Sequence, residues 1–150
     1  MNILLLTQVV PYPPDSGPKV KTYHVLRYLA ERGHRVTLVS FVRAEEEEYL
    51  EKLRPFCAAI HAVPLRRSFV GNARAYVSSL RSGQPFLVAR DASEEMSGLV
   101  RQITRERRII VHADQLTMGQ FALEAHDAPR LLDAHNAVWA VVARAQKFAP

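Results

Sequence analysis

The fold is decided by residues 3–41: ILLLTQ at 3–8, VVPYPPDSGP at 9–18, a helix-patterned run at 19–32, and RVTLVSF at 35–41. The first segment is almost continuously apolar with no polar alternation, as a parallel strand covered on both faces must be. Four prolines and a glycine at 9–18 can neither extend that strand nor start a helix early, so they predict a loop of fixed shape. From Lys19 the apolar positions Val20, Tyr23, Leu26, Leu29 and Ala30 recur on one helical face, and Gly33 supplies the C-terminal cap. The β-branched 35–41 run then follows after only Gly33 and His34, a connector length typical of αβ units.

The same alternation continues to the end of the chain. Residues 44–54 read as a helix whose Glu45 to Glu48 lie in the favourable first turns, as a solvated acidic face rather than a metal site. A weaker strand is expected at 57–65. Phe69, Ala73, Tyr76, Val77 and Leu80 predict an amphipathic helix over 68–81, stopped by Ser82, Gly83 and Pro85. Met96, Leu99, Val100 and Ile103 predict another over 93–107, with Ser93 as cap. Strands at 109–112 and 130–133, a short helix at 115–123 and a last helix at 136–148, striped by Val138, Val141, Val142 and Ala145, complete the pattern. Strands alternating with helices predict an α/β fold: one Rossmann-like, doubly wound, mostly parallel sheet with helices on both faces, forming a single domain over 1–150.

Composition agrees with one packed core. The chain has 150 residues, 48% hydrophobic and 23% charged, long enough to fold without a disulfide framework. The single Cys57 can form no internal disulfide and reads as a small buried hydrophobe in a reducing, cytoplasmic compartment. No signal-peptide core or membrane-spanning run is present in the sequence. Twenty Lys and Arg against fifteen Asp and Glu give a net charge of +5, which favours anionic partners such as phosphate esters, nucleic acid or an acidic lipid surface.

In open parallel sheets ligands bind beyond the carboxyl ends of the strands. That rule selects the 9–18 loop, the neighbourhood of Phe41, His112-Ala113-Asp114, and Asp133-Ala134-His135-Asn136. The sequence lacks GxGxxG after its first strand, a GxxxxGK[ST] phosphate loop and a GxSxG elbow, which disfavours a dinucleotide enzyme, a P-loop NTPase and an α/β-hydrolase.

Three ordered segments carry a resemblance. Pro11-Tyr-Pro-Pro-Asp-Ser-Gly17, with the helix ending Leu29-Ala-Glu-Arg-Gly33-His34-Arg-Val-Thr-Leu, resembles the opening of family 4 glycosyltransferases, retaining enzymes of the GT-B fold. Within that family the chain is most similar to bacterial sugar transferases of exopolysaccharide synthesis. Ile109-Ile-Val-His112-Ala-Asp114 stands where those enzymes carry a His-x-His or similar segment, and Asp133-Ala-His135-Asn136-Ala-Val-Trp139 with Arg144 resembles their D-x-H-N-x-x-W segment. The resemblance spans essentially the whole chain, with its specific motifs at the two ends. It implies the N-terminal, acceptor-binding lobe of a two-lobed enzyme, whose C-terminal lobe would hold the nucleotide-sugar and the Glu-x7-Glu signature missing from this sequence. It further implies a nucleotide-sugar co-substrate, no other cofactor, a saccharide or lipid-linked acceptor, and a cytoplasmic enzyme, peripheral at the inner membrane face. This lobe alone is expected to be inactive.

The residues bear roles consistent with that resemblance. Gly17 before a helix start presents bare backbone N–H groups, and with Lys19 it is a candidate for steadying a diphosphate; the alternative is a simple turn with a solvated lysine. Pro18 replaces a second glycine common in the family and removes one donor. Asp114 is the candidate catalytic carboxylate, placed to orient an acceptor hydroxyl or face positive charge at an anomeric carbon; the alternative is a cap on the helix beginning near Gln115. His112, His135 and Asn136 are candidate acceptor ligands through hydrogen bonds to sugar hydroxyls, with Asn136 as helix cap and His135 as a structural residue the competing assignment. His24, His34, His61 and His126 are structural, and no zinc spacing or DxD metal motif occurs. Trp139, Tyr23 and Tyr76 are assigned to the core, and Arg66-Arg67 and Arg105 to Arg108 to solvated faces with an opening to anionic lipid. Two rival classes are a stand-alone flavodoxin-like or receiver-like binding module, which lacks the acidic pair and late lysine of a receiver, and a nucleic-acid-binding domain, for which charge is the sole argument.

Overall fold

A computed structural model describes residues 1–65, 68–106, 108–134 and 144. Strand β1 (Asn2–Thr7) feeds the proline-rich loop and helix α1 (Gly17–Glu31); β2 (Arg35–Val42) follows. The Arg32 C-cap and Gly33 at φ +75° end α1 as expected, because only glycine enters the left-handed region without steric cost. The acidic 44–54 segment is not one regular helix. It breaks into a 3-10 turn (Ala44–Tyr49), a single α-turn α2 (Leu50–Leu53) and a second 3-10 turn (Arg54–Phe56) with Pro55 near its start. Nor is it wholly solvated, because Glu46 is buried and holds Lys19.

Strand β3 (Ala59–Pro64) precedes α3 (Phe69–Ser82), whose Ser68 cap accepts from the Gly71 N–H at 3.0 Å. The irregular stretch after it contains an unexpected short helix, α4 (Phe86–Arg90). Helix α5 (Glu94–Glu106) begins at the Ser93 cap, whose hydroxyl accepts from Met96 N, and its expected last residue, Arg107, lies outside the described residues. Strand β4 (Ile110–Asp114), a 3-10 turn (Leu116–Met118), α6 (Gly119–Ala122) and β5 (Arg130–Asp133) complete the described chain. The expected helix at 136–148, with Trp139 and its apolar stripe, lies outside the described residues.

The five strands are all parallel in the order β3-β2-β1-β4-β5. This is the 3-2-1-4-5 order of Rossmann sheets. Strand pleating divides the core in two. Leu5, Val36, Leu38 and Val42 pack with Leu26 of α1 and Leu53 of α2. Leu4, Leu6, Val39, Phe41, Val111 and Ala113 pack on the other face with Met96 and Val100 of α5 and Phe121 of α6. The doubly wound α/β architecture is therefore present. The hydrophobic strand β1 is buried on both faces, which is why its sequence shows no alternation.

One element departs from its pattern. The apolar stripe of α3 faces outward: Phe69, Val70, Tyr76, Val77 and Leu80 are exposed, while Ala75 is its buried residue. The expectation of a core role for Tyr76 is thus wrong. The packing of α3 runs chiefly to α4, where the Tyr76 and Phe86 rings meet at 6.4 Å. Tyr23, by contrast, packs among Tyr12, Phe56 and the buried residues beneath α1, in the core as expected. Cys57 is partly buried, and burial pushes its thiol from 9.0 up to about 12.

Candidate functional site

The strand order places the topological switch at β1 and β4. The chain leaves β1 through α1 to reach β2 on one side, and crosses from β3 to β4 on the other. The crevice at their carboxyl ends is where this architecture binds ligands. Register fixes what lines it: Thr7 lies opposite both Ser40 and Asp114, and Asp114 lies opposite Asp133. With a two-residue period these four side chains, and His112 two positions before Asp114, share the sheet face covered by α1.

Helix α1 closes over that row. Thr22 Oγ1 lies 2.6 Å from Asp114 Oδ2 and 2.8 Å from the Pro18 carbonyl, so one hydroxyl proton serves two competing acceptors. Lys21 Nζ donates to Asp133 Oδ2 in a close ion pair, and His112 Nε2 stands 3.9 Å from the same carboxylate oxygen. Asp114, His112 and Thr22 are buried, whereas Lys21 and Asp133 remain partly exposed at the rim. Thr7 Oγ1 is fully buried with no hydrogen-bond partner among the described residues. A buried hydroxyl without a partner is costly, which marks this end of β1 as a place where a polar group gains by entering.

The sequence-derived candidates divide as follows. Asp114 and His112 are brought together at the crevice. Asp114 ends β4 rather than capping a helix: Gln115, at φ +82°, takes the cap position of the following turn, and the Asp114 carboxylate turns to α1. Gly17 is the first residue of α1, and a Cβ placed there meets no atom within 4 Å. The Ser16 side chain makes no capping hydrogen bond, leaving the helix N-terminus open to an anion. Lys19 is not a solvated lysine: its ammonium pairs with Glu46 at 3.3 Å and reaches Asp15 at 4.0 Å. Any phosphate it met would share it with those carboxylates. His135 and Asn136 lie outside the described residues, so Asp133 alone represents the third motif in the structure.

Three polar residues escaped the sequence reading, and a fourth was read without its partners. Lys21 and Thr22 sit on the same helix as the apolar stripe and carry no motif; only the packing of α1 over β4 and β5 gives them partners. Asp133 was visible as a strand-end acid but not as the shared partner of Lys21 and His112. Asp91, after α4, is 3% exposed and accepts from Gln8 Nε2 at 2.5 Å and Arg90 Nε at 2.9 Å, tying the α4 region to the loop after β1. It borders a cleft of about 310 Å³ with Phe41, Leu65 and Glu95, beside the predicted neighbourhood of Phe41. Among the described residues no group of three or more His, Cys, Asp or Glu is placed to hold a metal ion, and no helix is long and apolar enough to cross a membrane.

Comparison with known proteins adds little. No protein-family model and no curated protein matches the sequence. Among solved structures, the C-terminal domain of a hydrogenase from Pyrococcus furiosus is similar at 17% identity over 87% of this chain and 91% of that one, with a TM-score of 0.45. At that score the likeness carries no argument.

Proposed function

We propose that this chain is the acceptor-side lobe of a retaining glycosyltransferase that moves a sugar from a nucleotide-sugar to a saccharide or lipid-linked acceptor. The observation that carries the reading is the row Asp114, Asp133 and His112 at the switch point, facing the open N-terminus of α1. Two of the three motifs that resemble family 4 enzymes meet in that row, and the first motif supplies the helix end beside it.

The chemistry follows from these groups. Departure of the nucleoside diphosphate leaves positive charge at the anomeric carbon, which carboxylates fixed at a crevice stabilise without reorganising. Asp114, held by Thr22, and Asp133, held by Lys21, are the two candidates. His112 presents a ring nitrogen to an acceptor hydroxyl. The N–H groups at Gly17 and Lys19 face the diphosphate, and Pro18 contributes none.

The test uses the protein translated from the whole gene, incubated with nucleotide-sugars while nucleoside diphosphate release is followed. Asp114→Asn is expected to lower turnover by roughly tenfold or more. Failure of the intact protein to bind or consume any nucleotide-sugar would leave the crevice as the pocket of a non-catalytic binding module.

A further inference from the structure

Helix α3 is built the wrong way round for a core helix. On a wheel of ~100° per residue, Phe69, Val70, Ala73, Tyr76, Val77 and Leu80 cover an arc of about 120°, a stripe wide enough to drive docking. Phe69 is 88% exposed and Leu80 68%. Arg74 and Arg81 fall at one edge of that arc, and both are exposed. Buried Ala75 lies on the opposite side, toward the protein. On the arginine side of the stripe, Val70, Ala73 and Val77 border an open depression of about 630 Å³ with Arg74, Ser78 and Arg81.

The sequence around this helix is basic, although Arg54 pairs with Glu51 and Arg90 with Asp91 at the two ends of the segment. Between Glu51 and Asp91 the sequence holds seven Lys and Arg and no Asp or Glu. The remainder of the chain holds thirteen basic and fifteen acidic residues, a net of −2. The +5 of the whole molecule therefore comes from one segment, and α3 lies in the middle of it.

We propose that α3 is an interfacial helix that docks the chain on an anionic phospholipid bilayer. Phe69, Val70, Tyr76, Val77 and Leu80 enter the boundary between headgroups and acyl chains, and Arg74 and Arg81 meet the phosphates beside them. Two physical arguments favour a bilayer over a second copy of this chain. A 14-residue helix offers fewer residues than the ~20–30 a side of a stable protein interface. A symmetric contact would also bring two acid-free basic segments together, whereas an anionic surface attracts them. A lipid surface needs no matched shape and accepts a narrow apolar stripe. The α3–α4 hairpin is held to the site end of the sheet, since Asp91 accepts from Gln8 and the Val88 carbonyl accepts from Gln120. The inference stands independently of glycosyl transfer.

Vesicle co-sedimentation of the chain tests it, with equimolar phosphatidylglycerol and phosphatidylcholine compared with phosphatidylcholine alone. Binding is expected to the anionic vesicles, to be about tenfold or more weaker on the neutral ones, and to fall as salt rises. Phe69→Ser with Leu80→Ser is expected to lower the partition coefficient at least about tenfold, because apolar burial drives insertion. Both side chains are exposed, so circular dichroism and the unfolding midpoint should match wild type. Arg74→Gln with Arg81→Gln is expected to weaken the preference for anionic lipid several-fold. No sedimentation with anionic vesicles, or undiminished sedimentation of the Phe69/Leu80 variant, overturns the proposal. So does a dimer in light scattering that the same variant dissociates, which would show that a second copy covers α3.

Discussion

The Thr22–Asp114 contact ties the helix after β1 to the end of β4, and its energetics are open to a double-mutant cycle. Asp114 is 2% exposed, so water cannot replace a donor that is taken away. Thr22→Val keeps the shape of the side chain and removes the hydroxyl 2.6 Å from the carboxylate. A hydrogen bond to a charged group contributes about 1.5–3 kcal/mol, and leaving a buried acceptor short of a donor costs a similar amount. Asp114→Ala removes the carboxylate itself. The Thr22 proton then passes to the Pro18 carbonyl 2.8 Å away, and a buried charge is relieved of its desolvation. In that background Thr22→Val removes only the local helix hydrogen bond, about 0.5–1 kcal/mol. The two substitutions should therefore couple by about 1–2 kcal/mol. For a chain of 150 residues, Thr22→Val alone should lower Tm by roughly 3–12 °C at 2–4 °C per kcal/mol. Urea unfolding of wild type, both single variants and the double variant supplies the four free energies. A coupling below about 0.3 kcal/mol would show that the contact is geometric without energetic content, and that Asp114 is not held in place by α1.

Other expectations follow from single residues. Cys57 should react with thiol reagents far more slowly in the folded chain than in urea at mildly alkaline pH, and equal rates would contradict its burial. Its thiol keeps a proton that the unfolded chain gives up, so its contribution to stability is complete below pH 9.0 and is lost as pH rises toward about 12. A urea-unfolding series across that interval should show stability falling, and a rise would reverse the assignment. Gly17→Val should leave the unfolding midpoint nearly unchanged, since its Cβ meets nothing within 4 Å, while lowering nucleoside diphosphate affinity of the intact protein by about tenfold. Equal affinity by calorimetric titration would assign Gly17 to the turn alone. Leu26→Ala should cost about 2–5 kcal/mol, because Leu26 is fully buried between α1 and the sheet; a loss under about 1 kcal/mol in urea unfolding would show that the site collapses freely.

Most of the architecture could be read from periodicity and punctuation. An unbroken apolar run marked β1 as a parallel strand covered on both faces, Gly33 ended α1, and Ser93 capped α5, because each signal is local: a side chain or a glycine acts on backbone within four residues of itself. The acidic segment at 44–54 departs from the helix its glutamates predict for the opposite reason. Glutamates favour a helix start, but Pro55 and the recruitment of Glu46 by Lys19, 27 residues away, set its real conformation.

Local pattern was enough for the α/β class, for a first strand covered on both faces, and for the strand ends at which polar residues gather, since these depend on spacings of two and 3.6 residues. Only the tertiary structure decided how those ends pair. Asp114 and Thr22 are 92 positions apart and Lys21 and Asp133 112 apart, and nothing local distinguishes such residues from solvated ones. The outward stripe of α3 was likewise undecidable from its periodicity. A helical moment fixes that one face is apolar, and only packing fixes whether that face meets the core or the outside.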